Sequence, residues 1–483
     1  MKKLPTIFRR KGTAALDLTV GSPLKRILTF MLPMLIGNIF NQLYSMVDTV
    51  IVGQTLGSDA LAGVGSTGAI TFLILGFVSG LTHGFSVVVS QRRGAHDEEG
   101  MRKSFATGIA LTVVIVSVLT VIALAVTKPL LTAMHTQPDF YPYAYQYLSV
   151  IFGGMLLSAL SNQFASTLRA IGDSLIPLFF LVFSCVFNAS FDCLFIMVFD
   201  MGVSGAAAAT VLANGISALS VFTYMWIKYP MLRFKPKHFR PNLKRYATHL
   251  KLGVPMALQM SVISIGMIVG QTALNTMSPT EIKAYVTATK IDGLATSVLN
   301  TAGIATATFV GQNYGAKRYD RIKKGVKQYT IFMIIVSLAL GATVIALHRP
   351  LVMLFISRAE RTEALYAGAL KYLVFNAGFY ILLATLCITR SGLQGMGRGT
   401  LALTAAMAEV VMRVGVALIA MHYQSYTIVC MLNCMSWIGA NIMLFPAFLA
   451  TLRKYVPLFK PHAKFLHLPN PSEIPFTQPK EED

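Results

Sequence analysis

Two carboxylates set deep in apolar runs are the residues most able to do chemistry in this sequence. Asp48 follows Asn41 by seven residues and Tyr44 by four, so the three share one face of a helix. Asn188 and Asp192 stand four apart in a second apolar run, with Cys185 and Phe195 above and below them. A charge at membrane depth costs about 3 kcal/mol or more unless it is paired, hydrated or neutralised. Both helices start from the same side, and each aspartate lies about 18 to 22 residues in, so at ~1.5 Å per residue they reach similar heights. Thr210, entering from the other side, comes to that level. The oxygens of Asp48, Asn188, Asp192 and Thr210 are hard ligands, suited to a proton or Na+. The alternative is two separate helix-end aspartates facing outer water.

The second half offers Lys290 with Asp292, and Glu409 with Arg413, as a further polar site. Glu409 and Arg413 are four apart, the spacing of a neutralising pair on one helix face; lining a second cavity is the other reading. The five cysteines fall in apolar runs, and Cys430 and Cys434, four apart on one face, have no histidine or carboxylate near them, which reads as buried thiols rather than a metal centre. Of the histidines only His83 lies well inside a run. Nothing points to a metal beyond Na+ or to an organic cofactor.

The elements that must hold these residues are membrane helices. Apolar residues make up 54% of 483, charged residues only 13%, and the mean hydropathy is +0.61, more apolar surface than a soluble chain of this length can hide. Lipid satisfies no backbone polar group, and uninterrupted runs near ~20 residues favour helices over a barrel. Twelve spans are expected, at 25–52, 59–86, 102–127, 140–166, 174–198 and 203–228, then 247–275, 283–308, 328–348, 364–390, 398–421 and 425–451.

The sequence also reads twice. Leu-Pro-Met at Pro33 returns as Val-Pro-Met at Pro255, Gln91 to Ala95 as Gln312 to Ala316, and Leu168 to Gly172 as Leu393 to Gly397. Six spans per copy give both halves the same orientation, so they are related by an axis along the membrane normal. The expected division is an N-terminal segment 1–24, an N-lobe 25–228, a linker 229–246, a C-lobe 247–452 and a tail 453–483.

Lysine and arginine collect in the loops of one face, including Arg92, Arg93, Arg240, Lys244, Lys317 and Arg321, which places that face and both termini in the cytoplasm. This topology accounts for the net charge of +21, so nucleic-acid binding is not indicated. The N-terminal basic stretch lacks the short apolar core and cleavage site of a signal peptide. The expected setting is a cell membrane crossed many times.

The two six-span halves, Asp48 within Met-Val-Asp-Thr, Gln-Asn-Tyr-Gly-Ala after Gly311 and the Asn188 to Asp192 pair resemble the multidrug and toxic compound extrusion (MATE) family. The resemblance implies an all-α membrane protein of two lobes forming a V-shaped cleft, an N-lobe cation site of Asp48, Asn188, Asp192 and Thr210, and no enzymatic activity. It also implies cavity-lining roles for Asn41, Tyr44, Tyr147 and Asn162, and a bend at Pro33. The implied function is efflux of small amphipathic organic cations or drugs by a monomer, in antiport with H+ or Na+ and by alternating access of the lobes. Helices seven and ten carry no interior carboxylate, which argues against a sodium site of the kind some relatives hold there. A flippase for a lipid-linked saccharide shares this architecture; it would need basic residues in the central cavity, where the sequence offers only Arg169, Lys290 and Arg390. A membrane enzyme would need clustered aspartates or histidines at one face, and none is present in the sequence.

Overall fold

The computed structural model describes residues 15–133, 136–356 and 361–455, apart from the side chains of residues 43, 46–50, 58, 133 and 455. The basic stretch from Lys2 to Lys11 and the proline-rich tail lie outside the described residues. Within them ten helices are long and apolar enough to cross a bilayer, and two bent pairs bring the number to twelve. The first half holds α1 (Pro23–Ser66), α2 (Gly68–Gly94), α3 (Glu98–Ala133), α4 (Tyr141–Gly153), α5 (Met155–Ile171), α6 (Leu175–Asp192) and α7 (Gly202–Lys228). The second holds α8 (Leu243–Leu274), α9 (Pro279–Gly315), α10 (Tyr319–Ala346), the short α11 (His348–Met353), α12 (Glu363–Gly378), α13 (Tyr380–Gly395), α14 (Gly399–Tyr423), the short α15 (Tyr426–Cys430) and α16 (Leu432–Tyr455).

Local chemistry sets the boundaries. Pro279 occupies the first turn of α9, where its missing N–H is no loss, and Ser278 and Glu281 cap that end reciprocally. Inside α1, Gly57 adopts φ 86°, a left-handed conformation open to glycine, and breaks the helix without ending it. The second span is therefore Gly68–Gly94 rather than 59–86, because residues 58–66 remain a leg of α1. Pro33 lies in the interior of α1, where it removes a backbone donor. α4 meets α5 at a bend of 51°, and α12 meets α13 at one of 46°, each at a glycine step that recurs between the halves.

Lipid is the solvent of the outer helices. Only 17% of the most apolar stretch of α3 is buried, and Val114, Val118, Val121 and Ile122 stand exposed, whereas 56% of that of α9 is buried inside the bundle.

The halves meet at the face that carries the basic loops. A Cβ at Gly94 would overlap the carbonyl of Gln312, and one at Gly315 would overlap that of Gln91. Gln91 Nε2 donates to the Gly395 carbonyl and Gln312 Nε2 to the Ala170 carbonyl, both at 2.9 Å. In the repeat Gln91 corresponds to Gln312, Gly94 to Gly315 and Ala170 to Gly395, so each of these four contacts maps onto its counterpart. Such exchange is the signature of a two-fold axis. The repeat is parallel, as expected.

One further element crosses this face. Ahead of α1 the chain forms a strap: Leu16 N–H donates to the Gly172 carbonyl of the first half at 2.9 Å, and Leu18 N–H to Gln312 Oε1 of the second at 3.1 Å. The Arg321 guanidinium donates to the carbonyls of Gly21 at 2.6 Å, Val20 at 2.9 Å and Leu18 at 3.2 Å.

Candidate functional site

In the first half, α6 and α7 place Asn188 and Thr210 side by side, with Asn188 Nδ2 donating to Thr210 Oγ1 at 3.5 Å. Asp192 is fully buried at the end of α6, where the helix widens into a π-turn over Cys193–Val198. Such turns redirect side chains and recur at functional sites. Asp48 lies on α1, and its side chain falls outside the described residues.

Closer to the basic face, Pro33, Asn41 and Asn162 line one cavity of about 410 Å³, together with Asn38, His83 and Arg169. Tyr44 and Tyr147 are half-buried and line neither this cavity nor the next; Tyr147 packs on Leu148 and its apolar neighbours. Asn38 Nδ2 donates to Thr301 Oγ1 at 2.8 Å, tying α1 to α9 across the lobes.

A second cavity, about 450 Å³, opens between the lobes. His83 and Arg169 line it too, joined by Gln259, Asn300, Arg390 and Gln394 over an apolar wall that includes Met256, Met260 and Ile263. No carboxylate is among the lining residues of either cavity. Of the three basic residues that the sequence offers for a central cavity, Arg169 and Arg390 converge here, while Lys290 is exposed on α9.

The C-lobe polar residues divide differently from the pairing that their spacing suggested. Glu409 is ion-paired with Arg390 of α13, and Arg413 turns to α16, donating to Asn433 Oδ1 at 3.0 Å and to Ser436 Oγ at 3.3 Å. A partner on a neighbouring helix prevails over one on the same helix because both side chains face the bundle, where each needs a buried counterpart. Asp292 is buried and accepts hydrogen bonds from Tyr380 Oη at 2.7 Å and Tyr372 Oη at 3.5 Å. Asn433 bridges onward to Tyr372 Oη and Asn376 Oδ1, each at 3.1 Å, so Asp292, Asn433 and Arg413 belong to one network. Its tyrosines and Asn376 follow at intervals of four on α12 and α13, a polar stripe readable in the sequence.

Outside the spans, the α5 to α6 loop carries Asp173. Burial raises its carboxyl above the ordinary value, partly offset by hydrogen bonds from Tyr229 Oη at 2.6 Å and from the N–H groups of Leu175 and Ile176. Among the described residues no group of three or more histidine, cysteine, aspartate or glutamate side chains is placed to hold a metal, and all five cysteines are free.

Comparison with known proteins gives a consistent result. The family model MatE matches residues 33–194 and 255–419, one match in each half. A probable multidrug resistance protein of Bacillus subtilis, YpnP, is 32% identical over 312 residues, 64% of this chain and 69% of that one. A second from the same organism, YoeA, is 28% identical over 310 residues, covering 62% and 66%. A solved structure described as the outward-facing conformation of a multidrug resistance MATE family transporter superposes with a TM-score of 0.84 at 23% identity, covering 93% of this chain and all of that one.

Proposed function

The chain belongs to the MATE family of multidrug efflux transporters, and from that premise we propose that it exports small amphipathic molecules in antiport with H+ or Na+, by alternating access of its two lobes. The observation that carries this reading is the clasp at the basic face. There reciprocal hydrogen bonds and glycine contacts close one end of the cleft, and beside them α2 packs on α8, with Gly80 and Gly84 lying against the backbone of Met256 and Gly253. Backbones that meet this closely at glycines give two rigid lobes a seam about which to rock. With the basic face in the cytoplasm, the clasped state is the one that faces outward.

Coupling falls to the N-lobe. Asp192 and Asp48, with Asn188 and Thr210, would take the ion on entry from outside, and a bound cation there offsets the charge that otherwise disfavours reclosing of the lobe. Asn41 and Asn162 line the adjoining cavity through which cargo and ion influence one another. A cleft of about 450 Å³ suits a drug-sized cargo better than the head of a lipid-linked saccharide.

The test is transport by the purified chain in proteoliposomes under a proton or a sodium gradient imposed separately. One of the two gradients is expected to drive a fluorescent amphipath, and Asp192→Asn to abolish that movement while the protein remains folded. Transport that ignores both gradients would sink the antiport reading.

A further inference from the structure

We propose that Arg169 anchors a site for the acidic group of an amphipathic organic anion in the cavity between the lobes, the ligand being a carboxylate or phosphate on a drug-sized apolar body. The proposal rests on the export reading and names a substrate class that the sequence expectation of organic cations does not include.

The charged groups that line the cavity, Arg169 and Arg390, are of one sign, and His83 adds a neutral ring. No carboxylate lines it. The two arginines are not equivalent, because Arg390 is neutralised by Glu409. Arg169 donates only to Ser166 Oγ, at 2.9 Å, and forms no ion pair among the described residues. A guanidinium has five N–H donors in a planar fork, so most of its capacity faces the cavity. In such a poorly hydrated place a charge-assisted, bidentate contact with a carboxylate or phosphate is stronger than at an exposed surface.

The internal repeat shows that the fold does not need this charge. Position 169 corresponds to Gln394, at the same turn of the equivalent helix, just before the glycine that ends it. There a neutral side chain suffices: Gln394 Nε2 donates to Gln259 Oε1 at 2.9 Å, across to α8. Topology and the helix dipole would favour a cation equally at both positions, so neither explains why only one is charged. Arg169 also lines the N-lobe cavity beside Asn41 and Asn162, which places a bound anion between the lobe that carries the coupling carboxylates and the clasp. The wall of Met256, Met260 and Ile263 supplies an adaptable apolar bed for the rest of the ligand.

The experiment measures binding to the purified full chain in detergent, without a gradient, by fluorescence of two probes that share one fluorophore: dansylglycine, an anion, and dansylcadaverine, a cation. The native chain should prefer dansylglycine by about tenfold or more, Arg169→Gln should erase that preference, and Arg169→Lys should keep most of it. Retained binding of dansylcadaverine by Arg169→Gln shows that the variant is folded. Competition by 2-naphthoate or by hexadecyl phosphate supports the class, and the stronger competitor tells a soluble acid from a lipid headgroup. A native preference for dansylcadaverine, or dansylglycine binding unchanged in Arg169→Gln, overturns the proposal. Because no gradient is applied, failure here leaves the antiport reading standing, and failure of gradient-driven transport leaves this one standing.

Discussion

Gly94 of the first half lies directly against the backbone carbonyl of Gln312 in the second, at a distance that admits no side chain. Its repeat counterpart, Gly315, makes the same contact with Gln91. Gly94→Leu is therefore expected to prop the lobes apart at the basic face and to abolish transport, and Gly315→Leu to do the same. In a chain freed of its native cysteines, Thr308→Cys, whose carbonyl accepts from Ser90 Oγ across this seam, should react markedly faster with a water-soluble maleimide when either leucine is present. Equal protection with and without the leucines would refute the role given to the clasp.

The strap should add to the clasped state through Arg321, whose fork reaches three carbonyls. Lysine keeps the charge and loses the fork. Each charge-assisted hydrogen bond contributes about 1.5–3 kcal/mol, so Arg321→Lys should speed hydrogen exchange at the Leu16 and Leu18 amides by about tenfold or more. Unchanged exchange there would mean that the strap is held by other contacts.

Glu409 and Arg390 should behave as one unit. Removing one partner of a buried ion pair costs about 3–5 kcal/mol because the other charge is left uncompensated. Glu409→Gln and Arg390→Gln should each lower thermal stability sharply, and the double variant should lose less than their sum. Coupling of Glu409 to Arg413 instead would restore the pairing that the sequence spacing suggests.

A shared N-lobe site makes a similar demand on transport. Asp48→Asn and Asp192→Asn should each stop gradient-driven efflux, and the double variant should be no worse than either alone. Near-normal transport by Asp48→Asn would remove it from the coupling site.

Asp173 supplies a pH signature at the basic face. Its folded carboxyl holds a proton more firmly than in the unfolded chain, since burial outweighs its hydrogen bonds. That contribution to stability is full below the ordinary aspartate value of about 3.9 and is lost as pH rises through the raised folded value. Tyr229→Phe removes the 2.6 Å bond to the carboxylate and should shift the loss to higher pH. The difference in melting temperature between each chain and its Asp173→Asn derivative, followed against pH, isolates the effect.

Most of the fold was legible because lipid imposes its own length on apolar runs: ten long helices and two bent pairs stand where twelve spans are expected. The displaced span is the one behind Gly57, where a left-handed glycine keeps a helical leg attached to α1. Hydropathy does not register a change of direction. The pairing of Glu409 failed for a related reason. Spacing along one helix ranks neighbours on that helix, whereas Arg390 arrives from α13. Arg169 and Arg390 stood out as basic residues apart from the charged loops, but only the packing of α5 and α13 against one cleft brings them together. The strap left no trace, since much of its binding is through backbone groups, which every residue has. Tyr372, Asn376 and Tyr380 did leave one, a stripe at intervals of four.

The clasp is what two identical half-length chains would form if each lent the other a glutamine and a glycine. The strap has no such partner: it precedes α1 and reaches Gln312, Asn313 and Arg321, whereas the segment ahead of α8 turns to α3. The reciprocal contacts give one chain the outline of a homodimer, and the strap marks where its halves are unequal.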